Sequence, residues 1–169
     1  MAEQFLTLMA DLDDPSQELL SCWYEALRKA GFTGTQTPGL PFHISMEVFP
    51  TDREEQALEL TRKAAGMFAP VPVHISHIGM FAGGKVLFCA PERDGLLNAL
   101  HAACESGLSQ PHPWTPHVTM LIDAPETVRA ALPVLINSFA PFTAKIVRLH
   151  LCAFWPTREI ADIELTGDR

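Results

Sequence analysis

Two short segments constrain this chain more than any other feature: His43-Ile44-Ser45-Met46 and His117-Val118-Thr119-Met120. Each is a histidine, a β-branched apolar residue, a hydroxyl residue and a methionine. A proline lies just upstream in both, Pro41 and Pro116, and the two histidines stand 74 residues apart, close to half of the 169-residue chain. The surrounding alternation of apolar and polar residues predicts a strand at each, Phe42 to Phe49 and Pro116 to Asp123. Side chains alternate across a strand, so His43, Ser45 and Glu47 are expected on one face and Phe42, Ile44, Met46 and Val48 on the other. The same spacing puts His117 and Thr119 on one face, with Val118, Met120 and Ile122 toward a core.

The elements between the motifs follow a repeating order. Phe5 to Ala10 reads as a strand that closes on an acidic turn, Asp11-Leu12-Asp13-Asp14, taken as solvated. Asp14, Pro15 and Gln17 start a helix whose inner face carries Leu20, Trp23, Leu27 and Ala30. Thr51 and Glu54 predict a capping box for a second helix through Ala57, Thr61, Ala64 and Phe68. Val73 to Phe81 and Lys85 to Ala90 read as a hairpin turning at Gly83-Gly84. A third helix carries Leu97, Leu100 and Cys104. A fourth, opened by Pro125, carries Val128, Leu132, Leu135 and Ile136, and Pro133 is expected to kink or split it. Phe142 to Phe154 and Arg158 to Leu165 read as a final strand pair. The expected class is α+β: a bilobal, duplicated α/β unit with two antiparallel sheets facing a central groove, and residues 1–169 as a single bilobal domain. Pseudo-twofold symmetry would set the motif strands opposite one another.

A His and a hydroxyl two residues apart on a strand can touch one bound oxyanion. Two such pairs facing each other fit in-line displacement at a phosphodiester, where one imidazole takes a proton from water and the other gives one to the leaving oxygen. Imidazole suits both tasks near neutral pH, and the hydroxyls can hold the non-bridging oxygens. The residues leave open which histidine is the acid and which the base. Net charge is −8, with 12 basic against 20 acidic residues, which argues against a grip on long nucleic acid. Lys85, Arg148 and Arg158 are the basic residues expected nearest the groove. A nucleotide-sized ester or an RNA end is the expected partner. A monomer is the working expectation, with the oligomeric state left open.

The paired motifs and the order of elements resemble the two-histidine (2H) phosphoesterase superfamily, and within it the bacterial 2′-5′ RNA ligase / RNA 2′,3′-cyclic phosphodiesterase branch. Ile78-Gly79-Met80-Phe81 and Val86-Leu87-Phe88 are similar to that family's first-lobe hairpin. The resemblance covers essentially the whole chain. It implies a hydrolase active in RNA processing, chemistry without a metal or other cofactor, and substrates with 2′,3′-cyclic or 2′-5′ phosphodiester bonds. It also implies His43 and His117 as the catalytic pair, with Ser45 and Thr119 binding phosphate. The alternative is a nucleotide- or RNA-end-binding module of the same fold without turnover.

His74-Ile75-Ser76 also fits the tripeptide, but it lies in the hairpin and has no counterpart, so a structural role is expected. His77 and His150 each stand four residues before a Phe, Phe81 and Phe154, in corresponding strands. His77, Trp114, His150 and Phe154 are therefore candidate groove-lining residues. No His-Glu-x-x-His or Cys/His set suggests a metal site. Cys22, Cys89, Cys104 and Cys152 form no Cys-x-x-Cys pair and read as buried thiols of a cytoplasmic protein, with no basic partner expected for Cys104 or Cys152. The N-terminus shows no secretory pattern, and no apolar stretch is long enough to span a bilayer.

Overall fold

The computed structural model describes residues 2–169. Its elements follow the repeat. Strand β1 (Phe5–Leu12), helix α1 (Asp14–Lys29), β2 (His43–Phe49), a short 3-10 turn (Thr51–Arg53), α2 (Glu54–Met67) and β3 (Val71–Met80) form the first unit. The second is β4 (Val86–Pro91), α3 (Gly95–Cys104), β5 (Val118–Ile122), α4 (Pro125–Ser138) and β6 (Phe142–Phe154), followed by β7 (Arg158–Glu164). The boundary between units falls in the turn between β3 and β4, where Gly83 and Gly84 take positive φ.

The class is α+β and all strand pairing is antiparallel. The two expected sheets are joined into one seven-stranded sheet in the order β2-β1-β6-β3-β4-β5, with β7 on β6. Each half of it, β2-β1-β6 or β5-β4-β3, takes two strands from one unit and the third from the other. The join is the pairing of Val71–Ile75 with Phe142–Ile146. β2 and β5 end the strand order, yet their Cα atoms approach within 8 Å. The sheet therefore curls until its two edges, which carry the motifs, lie side by side.

Helix periodicity explains the core. Leu20, Trp23 and Leu27 of α1, Ala57, Thr61 and Ala64 of α2, and Leu97, Leu100 and Cys104 of α3 are buried as their spacing requires. Each large apolar side chain among them contributes about 1.5–3 kcal/mol on burial. Helix α4 departs from expectation. Its buried residues are Val128, Ala131 and Leu135, Ile136 is exposed, and the helix runs through Pro133 without splitting. The Thr51 capping box is not formed; that residue opens the 3-10 turn instead. Cys22 is exposed, while Cys89, Cys104 and Cys152 are buried, all four as free thiols. Burial pushes the Cys89 and Cys104 thiols up to about 12. No helix among the described residues is long and apolar enough to cross a membrane.

Candidate active site

Both motif strands carry the same irregularity. Along β1, Leu8 pairs with Glu47 and Met9 with Ser45, so Met46 is an extra residue on β2. Along β4, Leu87 pairs with Leu121 and Phe88 with Thr119, so Met120 is an extra residue on β5. Such a bulge shifts the alternation by one and re-aims the side chains beyond it. Ile44 and Met46 are buried as expected, but Glu47 and Phe49 are buried too and Val48 faces solvent. In β5, Val118, Met120 and Leu121 are buried and Ile122 turns to the groove.

Upstream of the bulges the two halves place their histidines alike. His43 Nδ1 lies 2.8 Å from the Pro41 carbonyl oxygen, and His117 Nδ1 lies 2.8 Å from that of Thr115. A carbonyl oxygen only accepts, so each Nδ1 carries the hydrogen and donates, and each Nε2 keeps its lone pair when the ring is neutral. Burial pushes both imidazoles below their ordinary value, and the carbonyl contact opposes this in each. For His43, Asp11 also opposes it, while His150 and His117 act in the same direction as burial.

The loops before the motifs cross over. Trp114, in the loop before β5, donates from Nε1 to the Ser45 carbonyl oxygen of β2 at 2.9 Å. From the same loop Gln110 donates to the Val48 carbonyl oxygen at 3.1 Å and to the Glu47 carboxylate. In return, Gln36 in the loop before β2 accepts from the Ile122 N–H of β5 at 3.1 Å, and the Thr35 N–H donates to the Ile122 carbonyl oxygen at 2.7 Å. These bonds occupy strand edges that would otherwise be bare. Gln17, expected only as a helix-start residue, donates to the Phe42 carbonyl oxygen and accepts from the Phe42 N–H, each at 2.8 Å. It thereby fixes the backbone next to His43.

Two cavities meet at Ser45. One, of about 290 Å³, is lined by His43, Ser45 and Thr119 and walled by Phe5, Tyr24, Phe42, Phe154 and Trp155. The other, of about 860 Å³, is lined by Ser45, His117, Phe81 and Trp114 among others. Among the described residues no Lys or Arg lines either. Arg158 is bound to Glu3 and Glu54, and Arg148 to Asp162 and Glu164. His43, Ser45, Thr119 and Phe154 thus share the smaller cavity, and His117 shares the larger one with Ser45. Trp114 borders the larger one as a strut: His101 stacks on its ring at 3.8 Å, and Arg93 lies 5.3 Å from the ring centroid. His77 is exposed and lines neither cavity, and His74 is likewise exposed.

His150 lines neither of these two cavities and is 6% exposed. Its Nδ1 is 3.2 Å from Asp11 Oδ2, and its Nε2 is 3.2 Å from Cys152 Sγ and 3.3 Å from Glu159 Oε2. Two expectations fail here. Asp11 is not in a solvated turn; it belongs to β1 and is 2% exposed. Cys152 does have a basic neighbour. The Asp11 carboxylate, with the Cys152 sulfur, raises His150 to about 10, which favours the charged ring. Asp11 is legible in principle, since it continues the period-two series Phe5, Thr7, Met9 along the groove side of β1. Among the described residues no cluster of three or more His, Cys, Asp or Glu is arranged to hold a metal ion.

The sequence from residue 13 to residue 154 matches the model of the 2′-5′ RNA ligase superfamily. The chain belongs to that family of 2H phosphoesterases. No curated protein matches the sequence. Solved structures share the fold at low identity. A crystal structure of a phosphoesterase aligns with 21% identity and a TM-score of 0.66, covering 97% of this chain and 99% of its own. E. coli LigT complexed with 3′-AMP aligns with 20% identity and a TM-score of 0.66, covering 98% and 100%. TT0787 of Thermus thermophilus aligns with 17% identity and a TM-score of 0.65, again covering 98% and 100%.

Proposed function

We propose that this family member hydrolyses 2′,3′-cyclic or 2′-5′ phosphodiester bonds of a nucleotide or RNA end by metal-independent, two-histidine acid/base catalysis. The observation that carries the reading is the matched pair of Nδ1–H donors. Both rings are pinned through Nδ1 at 2.8 Å, which leaves both Nε2 atoms for proton transfer, with His43 sharing one cavity with Ser45 and Thr119 and His117 sharing the other with Ser45. One Nε2 removes a proton from water as its oxygen bonds to phosphorus. The other delivers a proton to the ester oxygen that departs, and the hydroxyls donate to the non-bridging oxygens.

Substrate size is read from the cavities. The aromatic walls beside Ser45 suit one base, whose stacking would contribute about 1–3 kcal/mol. Among the described residues no Lys or Arg lines the two cavities, which gives a long phosphate backbone no cationic partner there. The solved complexes of E. coli LigT with 3′-AMP, ATP and NADP+ support a nucleotide-sized ligand in this fold.

The test is hydrolysis of 2′,3′-cyclic nucleotides in EDTA by the unaltered protein and by His43→Ala and His117→Ala. Activity should survive the chelator and vanish in both variants. Full activity in either variant would overturn the assignment. Tight nucleotide binding without turnover on any phosphodiester would replace it with the binding-module reading.

A further inference from the structure

The two halves hold their histidines identically and surround them differently. His117 meets Phe81 at 4.8 Å and Phe88 at 5.2 Å between ring centroids. His43 pairs across β2 and β1 with Asp11, and Asp11 is the ion-pair partner of His150. The strand registers show what stands at the same places in the other half. Met9 and Phe88 are equivalent, since each pairs with the hydroxyl residue of a motif. Two residues further along, Asp11 therefore corresponds to Ala90. The residue paired with Met9 on β6 is His150, and the residue paired with Phe88 on β3 is Gly79. The pseudo-symmetry is broken at two neighbouring places, and both changes put charge beside His43 alone.

Burial favours the neutral form of both rings, but only His43 also has a carboxylate beside it, which favours the charged ring. We propose that Asp11 and His150 are a positioning pair for His43, keeping the site's proton on His43 and leaving His117 neutral. Resting on the function proposed above, His43 is then the group that protonates the leaving oxygen, and His117 takes the proton from water. Within the pair the roles are opposed. Asp11 draws the proton to His43. His150, charged, anchors Asp11 and moderates it. The other titratable or charged groups facing this cluster are Cys152 and Glu159 against His150, and His117 from the other half. Arg148, which pairs with Asp11 across β1 and β6, is engaged by Asp162 and Glu164.

The opposed roles give opposite signs. In Asp11→Asn the remaining His150 charge faces His43 without its partner, so His43 should lose its proton more readily. In His150→Gln the Asp11 charge is no longer offset, so His43 should hold its proton longer. Ring titration of both histidines by NMR in the ligand-free protein reads this without any turnover. The unaltered protein should show His43 titrating above His117. Asp11→Asn should lower the His43 midpoint toward that of His117. His150→Gln should raise it, and His117 should move less than His43 in both. A structural role alone would move both histidines together or neither, and either result overturns the proposal. So does finding His117 above His43 in the unaltered protein, a measurement that needs no variant to fold.

The pH profile of kcat/KM on a 2′,3′-cyclic nucleotide then separates the two readings. Asp11→Asn should pull the alkaline limb to lower pH, because that limb reports the acid. Movement of the acid limb instead would make His43 the base and overturn the proposal. No hydrolysis by any form would overturn the proposed function, with the ring titrations still deciding what Asp11 and His150 do.

Discussion

Around His117 the neighbours are rings; around His43 they are charges. The backbone shows no such difference. Each motif has a bulge at its methionine, a histidine pinned to the carbonyl two residues back, and a loop that crosses to the other edge. Duplication thus supplies the same geometry twice. The acid/base chemistry proposed above needs the opposite of sameness: at the start of the reaction one imidazole must be protonated and the other not. The repeated backbone sets where the two Nε2 atoms stand. The difference between them has to come from side chains that the duplication does not repeat.

The largest expected effect tests the sameness. His43→Ala and His117→Ala should each lower kcat on a 2′,3′-cyclic nucleotide by about 10²–10⁴-fold. If one loss were slight, the two halves would not be partners in one reaction. The next effect tests the difference. Gly79 is a glycine because a Cβ there would stand 2.5 Å from Phe88 Cζ, and Phe88 is part of the wall around His117. Gly79→Ala should cost about 1–3 kcal/mol of stability, read from denaturant midpoints. By shifting Phe88 it should disturb the titration of His117 and leave that of His43 in place.

Charge on the other side makes a prediction about pH. His150 is held at about 10 in the folded protein, above the value near 6.5 of a free imidazole. A raised folded value adds stability that is complete below about pH 6.5 and is lost as pH rises toward 10. Urea midpoints should therefore decline across that window, and His150→Gln should flatten the decline. An unchanged slope would mean that Asp11 does not hold a charged ring.

Period-two alternation is enough to find His43, Ser45, His117 and Thr119 on one side of their strands, and period-3.6 spacing finds the buried faces of α1, α2 and α3. Both rules assume an unbroken count. They misplace Glu47, Val48 and Ile122 because the bulges at Met46 and Met120 add one residue to it, and a bulge has no composition of its own. The repeated methionine is its only trace. Asp11 misleads for another reason. Three Asp residues within Asp11-Leu12-Asp13-Asp14 look like a turn, and the burial of the first depends on His150, far along the chain, which no local pattern reports. Distance from a Phe matches His77 to His150, but strand register matches it to Arg148 instead: His77 pairs with Ala90, and Arg148 with Asp11.

The smallest effects concern the crossed loops, where the halves are again alike. Trp114→Phe keeps the ring and removes the N–H that donates to the Ser45 carbonyl oxygen. Gln36→Leu removes the acceptor for the Ile122 N–H. Each leaves one edge group of a motif strand without its partner, at a cost of about 1 kcal/mol. If the clasps are equivalent, the two variants should lower the denaturation midpoint by similar amounts. They share no partner, so the double variant should show close to the sum of the two losses. A double loss well short of that sum would mean that the loops hold the sheet edges together as one unit. The halves would then be coupled through their loops as well as through the β3–β6 pairing.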